Sequence, residues 1–428
     1  MMGLLGTENQ SGAGPFFTWI NCRDFTRYPM LEPRDYLGKI QSLKKQYTGR
    51  MTASGSDRET DNQDELNNIE FASANLRHLL LDIPIENHAE IINEILFTQA
   101  CATLDGDSCF LLETTKIIDP ESMLLAAGQK PVIFCTFHFG SYQLINQVLA
   151  SRGLNYVLPV SNDNFANYKR YYEDKIEVIR NYFRSASQLL VLNAEEPTAA
   201  LAMARKTRAG WSLLAYIDGN TGVQGAARRD AKMLRVSLLG KPIYARKGIA
   251  FLSHFLKLPI IPVICEITGP MERTMTFYEK IKPFTASEDR ETYCQMATEK
   301  LYSILGTCLK KSPSQWLGWL ELQKYLATNG LATNESNNKQ DANSVSLADK
   351  NTDLKLMFNN RRFGFIVQDD QRVLLDKTTY KLLSLPDNIS DLLESYRQPI
   401  EVSSVGVSDE QMDMIEQLVS MDILSVVS

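Results

Sequence analysis

Short apolar runs alternate with amphipathic segments through the middle of the chain, and this alternation constrains the fold more than any other feature. The apolar runs are PVIFCTF (131–137), NYVLPVS (155–161), SQLLVLN (187–193), WSLLAYID (211–218) and IIPVICEIT (260–268). The segments with helical spacing are 141–153, 167–187, 195–210, 247–259 and 291–313. Strands buried on both faces are apolar throughout, and strands that alternate with helices pair in parallel. The pattern predicts an α/β fold with a mostly parallel sheet and helices on both faces.

Two polar stretches divide the chain. Residues 48–68 hold no aromatic side chain, and residues 327–351 are rich in Asn, Ser and Ala. Neither stretch buries enough apolar surface to offset its ordering entropy, so both are predicted to be linkers or loops. We therefore expect an N-terminal segment and linker over 1–68, an α/β domain over 69–326 and a small domain over 352–428.

The small C-terminal domain has a different pattern. RRFGFIVQDDQRVLLD (361–376) predicts two strands joined by an Asp-Asp turn. SDLLESYRQ (390–398) and SDEQMDMIEQLVSMDIL (408–424) are amphipathic and begin with Ser-Asp, which is typical of helix N-termini. The tail is therefore predicted to be a small α+β domain.

Composition excludes several classes of protein. A hydrophobic content of 44% indicates a folded chain, and a net charge of −6 argues against general nucleic-acid binding. The seven cysteines contain no Cys-x-x-Cys pair and the histidines are far apart, so we expect buried thiols and neither a disulfide framework nor a metal site. The N-terminus lacks the pattern of a signal peptide, and no apolar run reaches the roughly 18 residues of a membrane helix. We expect a cytoplasmic protein without a transmembrane segment.

His138 is the strongest candidate for a catalytic residue. It directly follows the apolar run 131–137, and in α/β sheets ligands bind beyond the carboxyl ends of the strands. A histidine in that place can act as a general base if a partner fixes its tautomer. Gln143, five positions later, is the predicted partner. The alternatives are a structural histidine and an ordinary amide on the helix surface.

A basic segment stands out in this acidic chain. Residues 227–247, ARRDAKMLRVSLLGKPIYARK, hold seven basic side chains and one acidic one. Such a segment can dock an acidic partner, such as an acyl carrier protein, or the phosphate of phosphopantetheine. It can equally be a solvated face.

Five blocks along the middle of the chain resemble one known superfamily. They are HFGSYQ (138–143), VIRNYF (178–183), AGWSLLAYIDGN (209–220), LRVSLLGKPIYARKGIAFLSHFLKLPIIPVICEI (234–267) and SPSQWLGWLELQKY (312–325). The first resembles the H-x-x-x-x-D/E block of the lysophospholipid acyltransferase superfamily. The others resemble, in order, later blocks in the branch of the late acyltransferases of lipid A biosynthesis.

This resemblance implies an acyltransferase. The donor would be an acyl thioester on the phosphopantetheine of a carrier protein or on coenzyme A, used as a co-substrate, with no tightly bound cofactor. His138 would deprotonate a hydroxyl or an amine of the acceptor. The resemblance places substrate-binding residues at Arg180, Asp218, Gly240 and Lys241, with Arg180 or backbone amides facing the oxyanion. Arg180 can also belong to a solvated helix face, and Asp218 can be a turn residue.

The sequence departs from that family at three points. Gln143 stands where the family has a carboxylate, so the base is expected to be weak unless the acceptor is strongly nucleophilic. Glu321, Leu322 and Gln323 replace a His-Arg-Arg ending, which speaks against a phosphorylated saccharolipid acceptor. The hydrophobic N-terminal anchor of the family is missing. A soluble or carrier-borne acceptor fits these departures better than a bilayer lipid.

The tail resembles a second family. Its pattern of a hairpin, LLDKTTYKLLSL (374–385) and helices ending in MDIL (421–424) is similar to the winged-helix peptide chaperones of the pyrroloquinoline-quinone type. That resemblance implies recognition of a precursor peptide or a carrier protein, and so a role in assembling a specialised peptide or lipopeptide metabolite. The alternative is an accessory or dimerisation domain.

Two rival functions stay open at this point. One is a catalytically impaired acyltransferase fold that binds an acyl or peptidyl carrier for another enzyme, which the neutral Gln143 favours. The other is a conventional lipid acyltransferase at the membrane, which the missing anchor disfavours.

Overall fold

A computed structural model describes residues 31–52, 63–162, 165–218, 232–283, 289–326, 354–368, 371–402 and 408–427. The chain divides into two compact units. Unit 1 comprises Met1–Ser56 and Asn93–Gly318, and unit 2 comprises Asp57–Ile92 and Trp319–Ser428.

The helices follow one another along the chain with short connections. Their bounds are α1 (Pro33–Thr52), α2 (Gln63–Leu79), α3 (His88–Gly106), α4 (Leu111–Thr114), α5 (Met123–Ala127), α6 (Leu144–Ser151), α7 (Phe165–Phe183), α8 (Ala199–Arg208), α9 (Gly248–Leu256), α10 (Arg290–Lys311), α11 (Asp387–Ser395) and α12 (Asp409–Ser420). The predicted helices at 141–153, 167–187, 195–210, 247–259 and 291–313 are confirmed as α6 to α10. The sequence gave no prediction for α1 to α5.

Unit 1 is built on a seven-stranded, mostly parallel sheet. The strands of this unit are β1 (Thr115–Ile118), β2 (Ile133–Thr136), β3 (Tyr156–Val160), β4 (Leu189–Asn193), β5 (Ser212–Tyr216), β6 (Met233–Leu238), β7 (Lys241–Arg246), β8 (Ile260–Ile267) and β9 (Arg273–Phe277). The order in the sheet is β1-β9-β8-β2-β5-β3-β4, and only the β8–β9 pair is antiparallel. The α/β fold class with a mostly parallel sheet is confirmed. β6 and β7 form a separate antiparallel hairpin.

The centre of the sheet is dry, which explains its continuous apolar strands. β2 is buried along its whole length, and Phe134 and Leu214 from neighbouring strands are fully buried. α6 packs Leu144 and Val148 into the same core. Burial at about 25 cal/mol per Å² of apolar surface makes this packing the main source of stability.

The C-terminal part of unit 2 is α+β. Its strands are β10 (Leu354–Phe358), β11 (Phe363–Gln368), β12 (Gln371–Asp376), β13 (Leu382–Ser384), β14 (Ile400–Val402) and β15 (Leu424–Val427). They form two three-stranded antiparallel sheets, β14-β10-β15 and β11-β12-β13. The predicted hairpin is confirmed as β11–β12, while its Asp-Asp turn lies outside the described residues. The two predicted helices are α11 and α12, and Ser408 and Gln411 form a capping box at the start of α12.

Unit 2 also contains α2, which corrects the predicted domain boundaries. The side-chain amide of Asn67 pairs with the backbone of Val367, donating to its C=O at 2.7 Å and accepting from its N–H at 2.8 Å. Asn75 donates to the carbonyl of Trp319 at 2.7 Å and accepts from Tyr380 Oη at 3.0 Å. The division at 69–326 is therefore wrong, because side-chain amides of α2 bind segments more than 200 positions away in sequence.

The polar stretches behave differently from the prediction in part. Residues 48–52 and 63–68 belong to the helices α1 and α2, so the first stretch is not a loop throughout. The rest of that stretch and the linker at 327–351 lie outside the described residues.

Candidate functional site

His138 and Asp218 form a close pair in unit 1. The ring Nδ1 of His138 lies 2.8 Å from Asp218 Oδ1. The backbone N–H of His138 also donates to the same carboxylate, at 2.9 Å to Oδ2 and 3.1 Å to Oδ1. Because an ionised carboxylate only accepts hydrogen bonds, Nδ1 carries the proton in this pair. The other ring nitrogen, Nε2, is then free to accept a proton.

The register of the sheet explains why these two residues meet. β2 and β5 are adjacent and parallel, and Thr136 is aligned with Tyr216. His138 and Asp218 each stand two positions beyond that aligned pair, at the same carboxyl edge of the sheet. This is the edge at which α/β sheets bind ligands.

The pair is largely shielded from water but not closed off. The side chain of Asp218 is 4% exposed and that of His138 is 14% exposed. No hydrogen-bond partner of His138 Nε2 is present among the described residues. The geometry therefore offers one accessible basic nitrogen backed by a buried carboxylate.

Two tyrosines hold the imidazole from its sides. The ring of Tyr216 stacks on His138 with centroids 5.1 Å apart, and Tyr142 meets it edge-on at 4.8 Å. Tyr216 Oη accepts from Asn146 Nδ2 at 3.1 Å and donates to the carbonyl of Tyr142 at 3.2 Å. Burial raises the pKa of Tyr216 well above its usual value, so this hydroxyl stays neutral. The tyrosines restrict the ring without competing for its proton.

The segment after α10 supports the pair from below. The N–H of Leu317 donates to the carbonyl of His138 at 3.0 Å, and the N–H of Gly140 donates to the carbonyl of Gln315 at 2.8 Å. Trp316, between them, donates its indole Nε1–H to Asp218 Oδ2 at 2.8 Å. The HFGSYQ and SPSQW blocks, distant in sequence, are therefore neighbours in the fold.

A buried ion pair anchors the loop that follows His138. The hydroxyl of Ser141 donates to Asp105, whose carboxylate also accepts from Arg273 Nε at 2.7 Å and Nη2 at 3.0 Å. Tyr36 donates to the same carboxylate at 2.6 Å. Asp105 and Arg273 are almost completely buried, so this carboxylate and guanidinium satisfy each other away from water.

Gly140 allows the loop to pass close to β8. Its φ is +55°, and an added Cβ would lie 2.2 Å from the carbonyl oxygen of Cys265. The N–H of Ser141 donates to that same oxygen at 2.9 Å. Glycine is required here both for the left-handed backbone and for the close approach.

The predicted pairing of Gln143 with His138 is wrong. Gln143 Oε1 accepts from Tyr171 Oη at 3.1 Å and from Lys175 Nζ at 3.4 Å. Lys175 also pairs with Asp107 at 2.9 Å, and burial lowers its pKa. Gln143 turns towards α7 because α6 begins directly after it, whereas the neighbouring strand already supplies a carboxylate to the histidine.

A small pocket lies behind Gln143, between α6 and α7. Its walls include Gln143, Gln147, Tyr172 and Lys175. Gln147 is buried, donates to the carbonyls of Asp105 and Gly106, and keeps its Oε1 without a partner among the described residues.

The other predicted substrate-binding residues lie away from the pair. Arg180 is exposed in the last turn of α7, and α7 runs back from the carboxyl edge, so Arg180 lies towards the opposite edge of the sheet. Gly240, with a φ of +81°, forms the tight turn of the β6–β7 hairpin, and Lys241 begins β7. Neither Arg180 nor Lys241 shares a hydrogen bond with His138 or Asp218. Asp218 is at the site, but as the partner of the histidine.

Sequence reasoning missed three contributors to the site. Trp316, Tyr142 and Tyr216 appeared only inside quoted blocks, with no role assigned. Their one signal was position: each lies within four residues of His138 or Asp218, or in the ordered SPSQW block. The docking prediction for 227–247 stays a prediction, since 227–231 lie outside the described residues and Lys247 pairs with Glu291.

Several general expectations concern the whole chain. The six cysteines of the described residues are all buried free thiols, as predicted, and Cys22 lies outside that part. Within the described ranges no cluster of His, Cys, Asp or Glu could hold a metal ion. Of the helices that the structure describes, none combines the length and the apolar character needed to span a bilayer.

Comparisons with known proteins do not add a family. No protein-family model matches the chain, and no curated protein matches it either. The family resemblances drawn from the sequence therefore stay predictions, and the argument for function rests on the geometry of the site.

Proposed function

We propose that this protein is an acyltransferase that moves an acyl group from a thioester to an amine or hydroxyl acceptor. The single observation that supports this most is the His138–Asp218 pair at the carboxyl edge of the sheet, with Nε2 open and Nδ1 held by a carboxylate. That arrangement suits a general base. The order of the sequence blocks, which resembles that of the lysophospholipid acyltransferase superfamily, supports acyl transfer as the reaction.

The proposed step conserves atoms and charge. His138 Nε2 takes the proton from the acceptor N–H or O–H while that nitrogen or oxygen attacks the carbonyl carbon of the thioester. The tetrahedral intermediate collapses, the C–S bond breaks, and the leaving thiolate takes the proton from the imidazolium. Asp218 stabilises the imidazolium between the two proton transfers.

The developing oxyanion requires hydrogen-bond donors. Arg180 lies in the last turn of α7, towards the opposite edge of the sheet. We assign this role to backbone N–H groups at the start of α6, because this segment directly follows the loop that carries His138.

The donor is proposed to be the phosphopantetheine thioester of a carrier protein, or coenzyme A. The basic segment 227–247 supports an acidic partner such as an acyl carrier protein. Unit 2 is proposed to recognise the peptide or carrier protein that presents one substrate, with its C-terminal strands and helices arranged in the manner of a winged helix. The product would then belong to a peptide or lipopeptide pathway of specialised metabolism in the cytoplasm.

The non-catalytic alternative loses its main support. It rested on a neutral amide in place of the family's carboxylate at position 143. Asp218 supplies a carboxylate to Nδ1 of the histidine from the neighbouring strand. A carrier-binding protein without activity remains the outcome that the experiment below must exclude.

Intact-mass spectrometry of an acyl-loaded carrier protein tests the proposal. The loaded carrier is incubated with the protein and a panel of amine and hydroxyl acceptors. We expect loss of the acyl mass from the carrier and a matching gain on one acceptor. His138→Ala should reduce the rate about 10²- to 10⁴-fold, the range of general-base catalysis.

His254→Ala is the matched control, since His254 lies on α9 and its ring contacts are to Tyr293 and Lys257. It should retain the activity of the unaltered protein. Stable binding of the loaded carrier with no transfer to any acceptor, the same in both variants, would exclude catalysis and leave a carrier-binding protein.

A further inference from the structure

The indole of Trp316 occupies the oxygen of Asp218 that the histidine ring does not use. His138 Nδ1 lies 2.8 Å from Oδ1, and Trp316 Nε1 lies 2.8 Å from Oδ2. Trp316 is 3% exposed, so this hydrogen bond forms away from competing water. A carboxylate held by a donor at each oxygen cannot rotate about its terminal torsion without losing one of them.

The backbone around Trp316 is itself fixed to the histidine loop. Phe139 and Trp316 form an isolated antiparallel bridge, flanked by the Leu317 to His138 and Gly140 to Gln315 hydrogen bonds. Any movement of Trp316 therefore also moves the chain that carries His138. The indole contacts Asp218 from a segment whose register with His138 is set by backbone pairing.

Gly318 provides the space in which the indole lies. A Cβ at position 318 would be 2.2 Å from both Cε2 and Cζ2 of the Trp316 ring and 2.8 Å from its Nε1. Real Cβ atoms essentially never approach so closely, and an indole is too bulky to yield by a small rotation. The glycine two positions after the tryptophan is thus a condition for the Trp316–Asp218 hydrogen bond.

We propose that Trp316 and Gly318 are positioning residues: Trp316 aims the Asp218 carboxylate at His138 Nδ1, and Gly318 keeps the indole in place. This inference rests on the proposed function for its effect on rate, since it deepens the account of the same base. The effect on the His138–Asp218 hydrogen bond stands without it.

Two variants separate the donor from the bulk of the side chain. Trp316→Phe keeps an aromatic ring but removes the N–H donor. Gly318→Ala keeps the N–H donor but displaces the ring that carries it. Trp211→Phe is the matched control, because Trp211 packs against Lys206 at the amino end of β5, away from the pair.

The first measurement is the imidazole proton spectrum of protein labelled with ¹⁵N-histidine, which contains four histidines. The unaltered protein and Trp211→Phe should show a low-field proton on the nitrogen of His138 that faces a carboxylate, assigned by its loss in His138→Ala. Trp316→Phe and Gly318→Ala should both weaken or abolish it. Melting temperatures identify a variant that has lost its fold, and the other variant then carries the test.

The second measurement is the rate of acyl transfer. Both variants should lower kcat about tenfold to 100-fold with little change in KM, because misplacing a catalytic group affects the transition state more than binding. A merely structural role would instead leave the low-field proton intact.

The outcomes distinguish this inference from the proposed function. If folded Trp316→Phe and Gly318→Ala both retain the low-field proton of His138, the positioning role is overturned. If both lose it while the unaltered protein transfers no acyl group, the positioning role holds and the acyltransferase proposal fails.

Discussion

Asp218 accepts hydrogen bonds from both the backbone N–H of His138, at 2.9 Å, and its ring Nδ1, at 2.8 Å. One carboxylate thus fixes the position of the main chain and the orientation of the imidazole together. An amide at this position could accept at one atom only and would present an N–H₂ group to a donor.

Asp218→Asn is therefore expected to lower acyl-transfer activity about 10²- to 10⁴-fold. The loss arises because the amide carries no charge to stabilise the imidazolium and leaves one donor of the site unpaired. The measurement is the initial rate of acyl loss from a loaded carrier. Asp174→Asn, an exposed aspartate on α7, should behave like the unaltered protein. Equal rates for Asp218→Asn and the unaltered protein would contradict the assignment.

Gly140→Ala should destabilise unit 1 and impair the site. The substitution combines an unfavourable φ of +55° with a Cβ 2.2 Å from the Cys265 carbonyl, and we expect a loss of about 3 kcal/mol in the free energy of unfolding. Gly153→Ala is the control, since its φ is +71° but no atom lies within 4 Å of the added Cβ. It should cost about 1 kcal/mol, from backbone strain alone. Urea unfolding measures both, and equal losses would argue against a close approach at Gly140.

Arg273→Met should be strongly destabilising because it leaves Asp105 buried without its partner. Removing one member of a buried pair costs about 4 kcal/mol. The exposed pair between Lys300 and Glu279 is the control, and Lys300→Met should produce no measurable change because solvent screens that pair. Chemical denaturation compares the two variants. A small effect of Arg273→Met would mean that water reaches Asp105.

His88 should make unit 2 sensitive to acid. Burial lowers its pKa to about 4, and Lys377 and Arg77 add to that shift while Glu86 opposes it. Since the unfolded chain binds the proton below about pH 6.5, stability is complete above that pH and is lost as the pH falls towards 4. The shift corresponds to about 3 kcal/mol.

His88→Gln provides the comparison, because glutamine does not titrate and its amide can replace the contact of the His88 Nδ1 with Ser73 Oγ, which is 3.1 Å long. The free energy of unfolding is measured for both proteins at pH 7 and at pH 4.5. We expect the unaltered protein to lose more stability between the two pH values than His88→Gln. An identical loss in both would show that His88 is not the group responsible.

The sheet could be predicted from sequence because its central strands are buried on both faces. β2, β3, β4, β5 and β8 are continuous apolar runs and were found as such. β1 and β9 were missed, because β1 alternates buried and exposed residues over four positions and β9 alternates buried with partly buried ones over five. Short alternating segments carry too little periodic signal to separate from loops.

The partner of His138 could not be predicted from one sequence. Local spacing pointed to Gln143, five positions away, but the true partner lies 80 positions away. Their meeting depends on β2 and β5 being adjacent in register, which no propensity of either strand reveals. The same holds for Trp316, whose contact with Asp218 follows from backbone pairing with Phe139.

The amide of Asn67 has a consequence for the solubility of the chain. By pairing with both the N–H and the C=O of Val367, it occupies part of the outer edge of β11 as a neighbouring strand would. Unpaired edge strands are where β-proteins associate and aggregate. A single side chain of α2 thus blocks this edge to other chains, while β13, the opposite edge strand of that sheet, keeps an exposed Leu382.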